Sequence, residues 1–179
     1  LPFSYPAKLE DCPAHFYGEI SYPGDSIKQE YKVDILVGYR WYDTKKIKPL
    51  FPFGYGLSYT TFQYDKPVLS AKKVSMGDGL SVSVKVKNTG TMAGKEAVQL
   101  YIGDEKCSLL RPQKELKGFK KISLQPGEEK VVTFDIKPED LQFFDDSKHE
   151  WVAEPGKFKV YVTSSSANVD NVAEFMCVE

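Results

Sequence analysis

The chain has 179 residues, enough for one domain with its own core plus an appended segment. Its 24 basic and 25 acidic residues nearly cancel, so it lacks the overall positive field that attracts nucleic acid or anionic lipid. The hydrophobic share of 41% argues against a disordered chain, and no apolar run reaches the roughly 18–20 residues of a membrane helix. The 11 Tyr, 11 Phe, 13 Gly and 11 Pro indicate strands and turns rather than a helical bundle.

Residues 1–66 form an aromatic-rich and proline-rich segment with little regular patterning. Its one continuous run typical of a strand is residues 35–42, and no amphipathic helical period passes through it. So long a stretch with so few elements rarely folds alone, and we expect it to wrap a body elsewhere. We place the boundary near Asp65-Lys66-Pro67. The sequence opens at Leu1 without an initiator methionine or signal peptide, which suggests a fragment or a processed product.

Residues 67–179 alternate between apolar and polar side chains with the period of half-buried strands. In the clearest run, residues 80–87, Leu and Val at even positions alternate with Ser and Lys at odd positions. With an opening strand at 67–74, about seven short strands alternate with turns, which predicts an antiparallel β-sandwich of the immunoglobulin or fibronectin type III kind. The chain is therefore expected to be mainly β. The other predicted elements are strands at 95–102, 115–124, 131–136, 157–163 and 172–178, a helical turn at 138–141 and a hairpin at 143–152.

The sequence contains no motif for a catalytic or metal site. Adjacent carboxylates on a strand point to opposite faces, so the pairs Glu10-Asp11, Glu139-Asp140 and Asp145-Asp146 favour turns and caps over a facing catalytic pair. The two histidines and three cysteines show no metal-ligand spacing, and no nucleophile or phosphate-binding motif occurs. We assign no catalytic, cofactor-binding or metal-binding residue.

An aromatic cluster near the end of the first segment is the candidate functional site. Aromatic rings can stack on the apolar faces of sugars, and they can equally anchor a connector between two domains. Pro52, Gly54 and Gly56 impose tight backbone geometry between the rings, which favours a docked connector. The cluster comprises Phe51, Phe53, Tyr55, Tyr59 and Phe62.

A group of lysines falls within residues 114–121. Acidic residues balance their charge elsewhere in the chain. We interpret this group as the solvated face of a strand rather than a binding patch. Its members are Lys114, Lys117, Lys120 and Lys121.

Several motifs resemble the C-terminal region of glycoside hydrolase family 3, which holds β-glucosidases and β-xylosidases. The most specific is the run at 50–62, Leu-Phe-Pro-Phe-Gly-Tyr-Gly-Leu-Ser-Tyr-Thr-Thr-Phe, preceded at 37–43 by Val-Gly-Tyr-Arg-Trp-Tyr-Asp. The opening residues 1–6 are similar to the end of the family's α/β-sandwich domain. The order of the motifs agrees along nearly the whole chain. The runs that resemble the family's fibronectin type III-like domain are 86–90, 94–101, 111–112, 115–119 and 126–128.

The resemblance implies a parent enzyme with a (β/α)₈ barrel, an α/β sandwich and this last domain. In the family the nucleophile is an Asp on the barrel, and in the glucosidases the general acid/base is a Glu on the α/β sandwich. Both motifs lie upstream of Leu1, so no catalytic residue is carried over. By resemblance, residues 1–66 are the tail of the α/β sandwich and a linker, and residues 67–179 are the fibronectin type III-like domain.

The function implied by the resemblance is the C-terminal, structural part of an exo-acting, retaining β-glucosidase, inactive alone. Its expected partners are the barrel and α/β-sandwich domains and, through them, a β-linked oligosaccharide. No cofactor, nucleic acid or membrane span is expected, and the location implied is periplasmic or extracellular. The alternative is a stand-alone carbohydrate-binding or adhesion module. That alternative needs an exposed aromatic platform, but the outward positions of 80–87 and 157–163 offer a single ring, Tyr161.

Overall fold

The structure is a computed structural model that describes residues 1–179. It contains eleven strands, two short helices and two 3₁₀ turns, at Leu9–Asp11 and Pro138–Leu141. Neither helix approaches the length and hydrophobicity that a membrane crossing requires. The helices are α1 (Pro13–Phe16) and α2 (Tyr39–Lys45). The strands are β1 (Phe62–Tyr64), β2 (Val68–Leu69), β3 (Lys73–Ser75), β4 (Leu80–Asn88), β5 (Gly94–Asp104), β6 (Glu115–Leu124), β7 (Glu129–Ile136), β8 (Phe143–Asp145), β9 (Glu150–Val152), β10 (Gly156–Thr163) and β11 (Val172–Val178).

Two sheets and a separate hairpin contain all the strands. In the first sheet, β4 pairs antiparallel with β7 along one side and with β1 and β2 along the other. The second sheet has the order β3-β11-β10-β5-β6, and every pair in it is antiparallel except β3 with β11. Strands β8 and β9 form the hairpin. The predicted mainly β, antiparallel sandwich is confirmed.

The core lies between the inner faces of the two sheets. On β4 the burial alternates from Leu80 to Val86, as the period of two predicts, and β7 and β10 alternate likewise at Val132–Ile136 and Phe158–Val162. Fully burying each such side chain stabilises the fold by about 1.5–3 kcal/mol. The core comprises Val74, Leu80, Val82, Val84, Val86, Val98, Leu100, Ile102, Leu124, Val132, Phe134, Ile136, Leu141, Phe158, Val160, Val162, Phe175 and Cys177.

The run at 35–42, which has the composition of a strand, does not form one. Its second half begins helix α2, after Gly38 turns the chain with a φ of 61°. Trp41 and Tyr42 are buried in a small separate core with Leu36, and the Trp41 Nε1–H donates a hydrogen bond to the Asp11 carbonyl at 3.1 Å. Aromatic residues favour strands, but tertiary packing decides between conformations of similar intrinsic preference.

The first sheet begins before the boundary that the sequence suggests. Strand β1, at Phe62–Tyr64, pairs with β4 and is therefore an element of the sandwich. The opening strand expected at 67–74 is two short strands in different sheets, since β2 pairs with β4 and β3 pairs with β11. The three residues between them carry the chain from one sheet to the other.

Candidate docking interface

The centre of the second sheet is covered on its outer side by part of the first segment, which we call the connector (residues 39–61). Tyr101 of β5 lies on this outer side, since it alternates with the core residues Leu100 and Ile102, yet it is fully buried. The ring of Tyr39, in α2, lies against it with a centroid distance of 5.5 Å. The connector therefore shields the sheet from water at this point.

An aromatic stack continues this contact along the connector. Phe53 lies 5.3 Å from Tyr39, ring centroid to ring centroid. The Tyr39 hydroxyl accepts a hydrogen bond from the backbone N–H of Leu116 in β6, at 2.7 Å. Because the ring of Tyr39 contacts β5 while its hydroxyl binds β6, this side chain fixes α2 against both strands.

Gly54 brings the connector backbone onto the sheet. Its φ is 82°, which L side chains rarely adopt, and a Cβ there would overlap the Gln99 amide. Gln99 donates to the Ser164 carbonyl at 2.5 Å and accepts the Tyr101 hydroxyl at 2.6 Å. The Ser166 N–H donates to the Phe53 carbonyl at 2.9 Å. Backbone and side-chain hydrogen bonds thus join the connector to β5 and to the loop after β10.

A buried ion pair lies beside the aromatic stack. Lys114 Nζ is 2.5 Å from the Asp43 carboxylate, and it also lies 5.8 and 5.9 Å from the ring centroids of Tyr101 and Tyr161. Burial raises the pKa of Asp43, and the hydrogen bond and charge of Lys114 oppose that rise. The interpretation of Lys114 as a solvated lysine is wrong. Lys114 is only 3% exposed, because the connector covers it.

The other three lysines of that group differ in burial. Lys120 and Lys121 are exposed, as expected, while Lys117 is half-buried. Lys117 lies 3.8 Å from the carboxylate of Glu115, nitrogen to oxygen. The predicted solvated strand face is therefore correct for Lys120 and Lys121, which are half of the group.

A second charged cluster joins the connector to β6. Glu115 accepts Arg111 at 2.9 Å and pairs with Arg40 of α2 at 3.5 Å. Although burial opposes ionisation, the hydrogen bond from Arg111 and the nearby cations hold the pKa of Glu115 below its usual value. Arg111 also pairs with Asp104 at 3.4 Å and donates to the Leu141 carbonyl at 3.2 Å.

The five aromatic residues of the predicted docking cluster occupy three different environments. Phe53 packs at the interface described above. Phe51 packs within the first segment, against Tyr5 and Tyr55 at centroid distances of 6.1 and 5.3 Å, and Phe62 packs on the sandwich core from β1. Tyr55 is partly exposed and Tyr59 is 93% exposed. Within this chain, Phe53 and Phe62 contact the sandwich and Tyr59 faces solvent.

The sequence interpretation missed Tyr39, Asp43, Gln99, Tyr101 and Lys114, which build most of the interface. Tyr39 and Asp43 lie in the motif at 37–43, and Gln99 and Tyr101 lie in the motif at 94–101, but neither motif indicated a docking role. The one signal from residue type was a polar residue, Gln99, among the buried positions of β5. Two of the carboxylates expected in turns and caps accept hydrogen bonds from nearby backbone N–H groups. Asp140 accepts the Lys137 N–H at 2.9 Å, and Asp145 accepts the Ser147 N–H at 3.0 Å. The structure contains no group of three or more His, Cys, Asp or Glu side chains that could hold a metal ion.

Comparison with known proteins identifies the sandwich and its relatives. Residues 96–166 match the model of the fibronectin type III-like domain. The chain is 68% identical over all 179 residues to β-glucosidase BoGH3A of Bacteroides ovatus, and 47% identical over 94% of its length to thermostable β-glucosidase B of Acetivibrio thermocellus. It spans only 24% and 22% of those two proteins, about a quarter of each.

Solved structures give the same result in three dimensions. DesR, a β-glucosidase from Streptomyces venezuelae in complex with D-glucose, matches 97% of this chain at 39% identity with a TM-score of 0.87, over 22% of its own length. The β-glucosidase of Kluyveromyces marxianus matches 99% at 41% identity with the same TM-score, over 20% of its length. The chain thus carries a fibronectin type III-like domain and corresponds to the C-terminal part of glycoside hydrolase family 3 β-glucosidases, as its motifs implied.

Proposed function

We propose that this chain is the structural, non-catalytic part of an exo-acting β-glucosidase that hydrolyses terminal, non-reducing β-D-glucosyl residues. The observation that carries the proposal is the 68% identity to the Bacteroides ovatus β-glucosidase over every residue of the chain. The hydrolysis itself belongs to regions of the enzyme outside these 179 residues, where the family's nucleophile and acid/base lie. We assign the chain the task of supporting those regions.

The connector and the residues before it supply the surface for that support. The first segment exposes many large apolar side chains. Large exposed apolar patches mark interaction sites. Its attachment to the sandwich through Phe53, Tyr39 and the Asp43–Lys114 pair holds this surface in one position. The partners are the barrel and α/β-sandwich domains. The exposed apolar residues are Leu1, Phe3, Tyr5, Leu9, Phe16, Tyr22, Ile27, Tyr31, Ile35, Val37, Leu50, Tyr55, Leu57 and Tyr59.

A stand-alone carbohydrate-binding or adhesion module is not favoured. The relatives with high identity are β-glucosidases four to five times the length of this chain, and the match runs through the connector as well as the sandwich. A periplasmic or extracellular location, by family resemblance, is part of the same proposal.

A chimera tests the supporting role. The matching quarter of the Bacteroides ovatus enzyme is replaced by this chain, and hydrolysis of an aryl β-glucoside is measured beside the intact enzyme and an enzyme lacking that quarter. We expect the chimera to fold and turn over the substrate, the deleted enzyme to lose soluble activity, and the 179-residue chain alone to be inactive. Turnover by the isolated chain, or full activity of the deleted enzyme, would refute the proposal.

A further inference from the structure

A cleft of about 290 Å³ opens at one end of the sandwich, between the connector and the loop after β10. Its lining mixes aromatic rings with hydroxyl, amide and carboxylate groups. Tyr55 belongs to the aromatic part, Ser58, Ser164 and Asn168 belong to the polar part, and Glu96 of β5 contributes the carboxylate. The volume is near the lower end of the range for small-molecule sites, about 300–1,000 Å³.

Glu96 is the unusual member of this lining. It stands on the inner side of β5 in line with the core residues Val98 and Leu100, and it is only 9% exposed. One carboxylate oxygen accepts the Tyr64 hydroxyl at 2.8 Å. The second oxygen receives no hydrogen bond from the chain, and Glu96 takes part in none of the chain's ion pairs. The buried side-chain oxygens without a hydrogen-bond partner are those of Ser4 and Thr44, so this Glu96 oxygen is open to the cleft and free to accept a hydrogen bond from a molecule there.

The polar side chains around the cleft also have unused hydrogen-bonding capacity. The side-chain amide of Asn168 and three serine hydroxyls, those of Ser58, Ser164 and Ser165, form no hydrogen bond within the chain. The Thr60 hydroxyl nearby is bonded to Asn88. The cleft therefore presents one carboxylate acceptor, three serine hydroxyls and one amide beside an aromatic ring. No cation accompanies Glu96, and an anionic ligand is disfavoured because its charge would face that of the carboxylate.

We propose that this cleft binds a small, uncharged, polyhydroxylated molecule, a monosaccharide or a sugar alcohol. Ligand hydroxyls donate to the free oxygen of Glu96 and exchange hydrogen bonds with Ser164 and Asn168, and apolar C–H groups pack on Tyr55. Hydrogen bonds to a charged acceptor are stronger than those between neutral groups, so Glu96 supplies most of the affinity. This site goes beyond the supporting role proposed above and does not depend on it.

The test is a titration of the isotope-labelled 179-residue chain with D-glucose and with sorbitol, followed by amide chemical shifts. We expect saturable shifts confined to residues of the cleft, and no such shifts with glucose 6-phosphate or methylammonium. Saturable binding of methylammonium in place of the sugars would overturn the proposal, because the site would then be a cation site. The absence of saturable shifts with both sugars up to about 100 mM, where even a millimolar ligand saturates, would also overturn it.

Variants separate a binding role of Glu96 from a structural one. Glu96→Gln keeps the shape and an acceptor for Tyr64 but removes the charge, and it should weaken sugar binding about tenfold. The matched control is Glu150→Gln, an exposed carboxylate on β9 that does not line the cleft, and it should bind as the unchanged chain does. If Glu96→Gln fails to fold, Asn168→Ala replaces it, because Asn168 is exposed and its side chain holds nothing within the chain. Unchanged affinity in the folded variant overturns the proposal.

Discussion

Lys114 and Asp43 lie 71 residues apart in sequence and form an ion pair of 2.5 Å at the junction of β6 and the connector. Their side chains are 4% and 16% exposed, so both charged groups are largely desolvated in the folded chain. A buried pair of this kind offsets its own desolvation cost at best, and removing one partner leaves the other charge uncompensated. The pair therefore acts on where the connector sits more than on how stable the fold is.

Lys114→Met should lower the free energy of unfolding by about 3–5 kcal/mol, because Asp43 would then be a buried charge without a partner. Adding Asp43→Leu to that variant should restore most of the loss, since two apolar side chains replace the pair. Urea unfolding of both single variants and the double variant measures the coupling energy. Lys28→Met, in the exposed pair with Glu30, is the control and should leave the unfolding curve unchanged. If Lys114→Met behaves like that control, the loss of Lys114 does not leave Asp43 as an uncompensated buried charge.

Phe53→Ala should release the connector while leaving the sandwich folded. The ring is half-buried against Tyr39, so we expect a loss of about 1–3 kcal/mol, less than for a fully buried ring. Hydrogen exchange locates the effect: the amides of Ser166 and Leu116, which donate to connector atoms, should exchange faster. The control is Tyr59→Ala, which should alter neither amide because that ring is exposed. Equal protection of residues 35–42 and 80–86 in Phe53→Ala would make the first segment an integral part of the fold.

A truncation series tests where the sandwich begins. A chain of residues 62–179 retains β1, its pairing with β4 and the hydrogen bond from Tyr64 to Glu96. A chain of residues 67–179 loses all three and leaves Glu96 without a partner. We expect a cooperative thermal transition for both, with a lower midpoint for the shorter chain. Identical midpoints would mean that β1 adds nothing to the domain, and the boundary would belong at 67.

The stability of the chain should depend on pH through Glu96. Burial raises the pKa of its carboxyl, although the Tyr64 hydroxyl opposes the rise, so the folded state holds this proton more tightly than the unfolded state does. The contribution of Glu96 to stability is therefore greatest below the ordinary pKa of 4.5 and is lost as the pH rises through the higher folded value. Relative to the unchanged chain, Glu96→Gln should be more stable at neutral pH than at acid pH. Urea unfolding across that range measures the difference, and the reverse trend would show that the folded chain favours the ionised carboxyl.

The sandwich could be predicted from the sequence because the residue pattern of each strand shows which of its faces is buried. In residues 80–87 the alternation of Val with Ser and Lys is sufficient, since one face meets the core and the other meets water. Helix α2 could not be predicted this way. Its Tyr39-Arg40-Trp41-Tyr42 run has the composition of a strand, and only the burial of Trp41 in a pocket formed with Leu36 selects the helix.

The interface was harder to predict because its partners are distant in sequence and individually ordinary. A lysine at 114 beside three others has the composition of a solvated strand, and nothing near it indicates that Asp43 and two tyrosine rings surround it. Gly54 is similar: its left-handed backbone suits a turn, whereas its close contact with Gln99 arises only in the folded chain. The local pattern of apolar and polar residues indicates which side chains are buried, but it does not indicate which distant element packs over them.

The parallel pairing of β3 with β11 has a consequence for synthesis. Strand β3 (Lys73–Ser75) cannot pair until its partner residues, Met176–Val178, have been synthesised. The second sheet therefore has an unpaired edge until nearly the whole domain has left the ribosome. During that interval Val74 and Phe158 lack their cover, because Phe175 and Cys177 have yet to arrive. A nascent chain stalled before residue 172 would therefore present an unpaired edge and an exposed core to chaperones. Premature termination in this region should yield insoluble product rather than a shortened, folded domain.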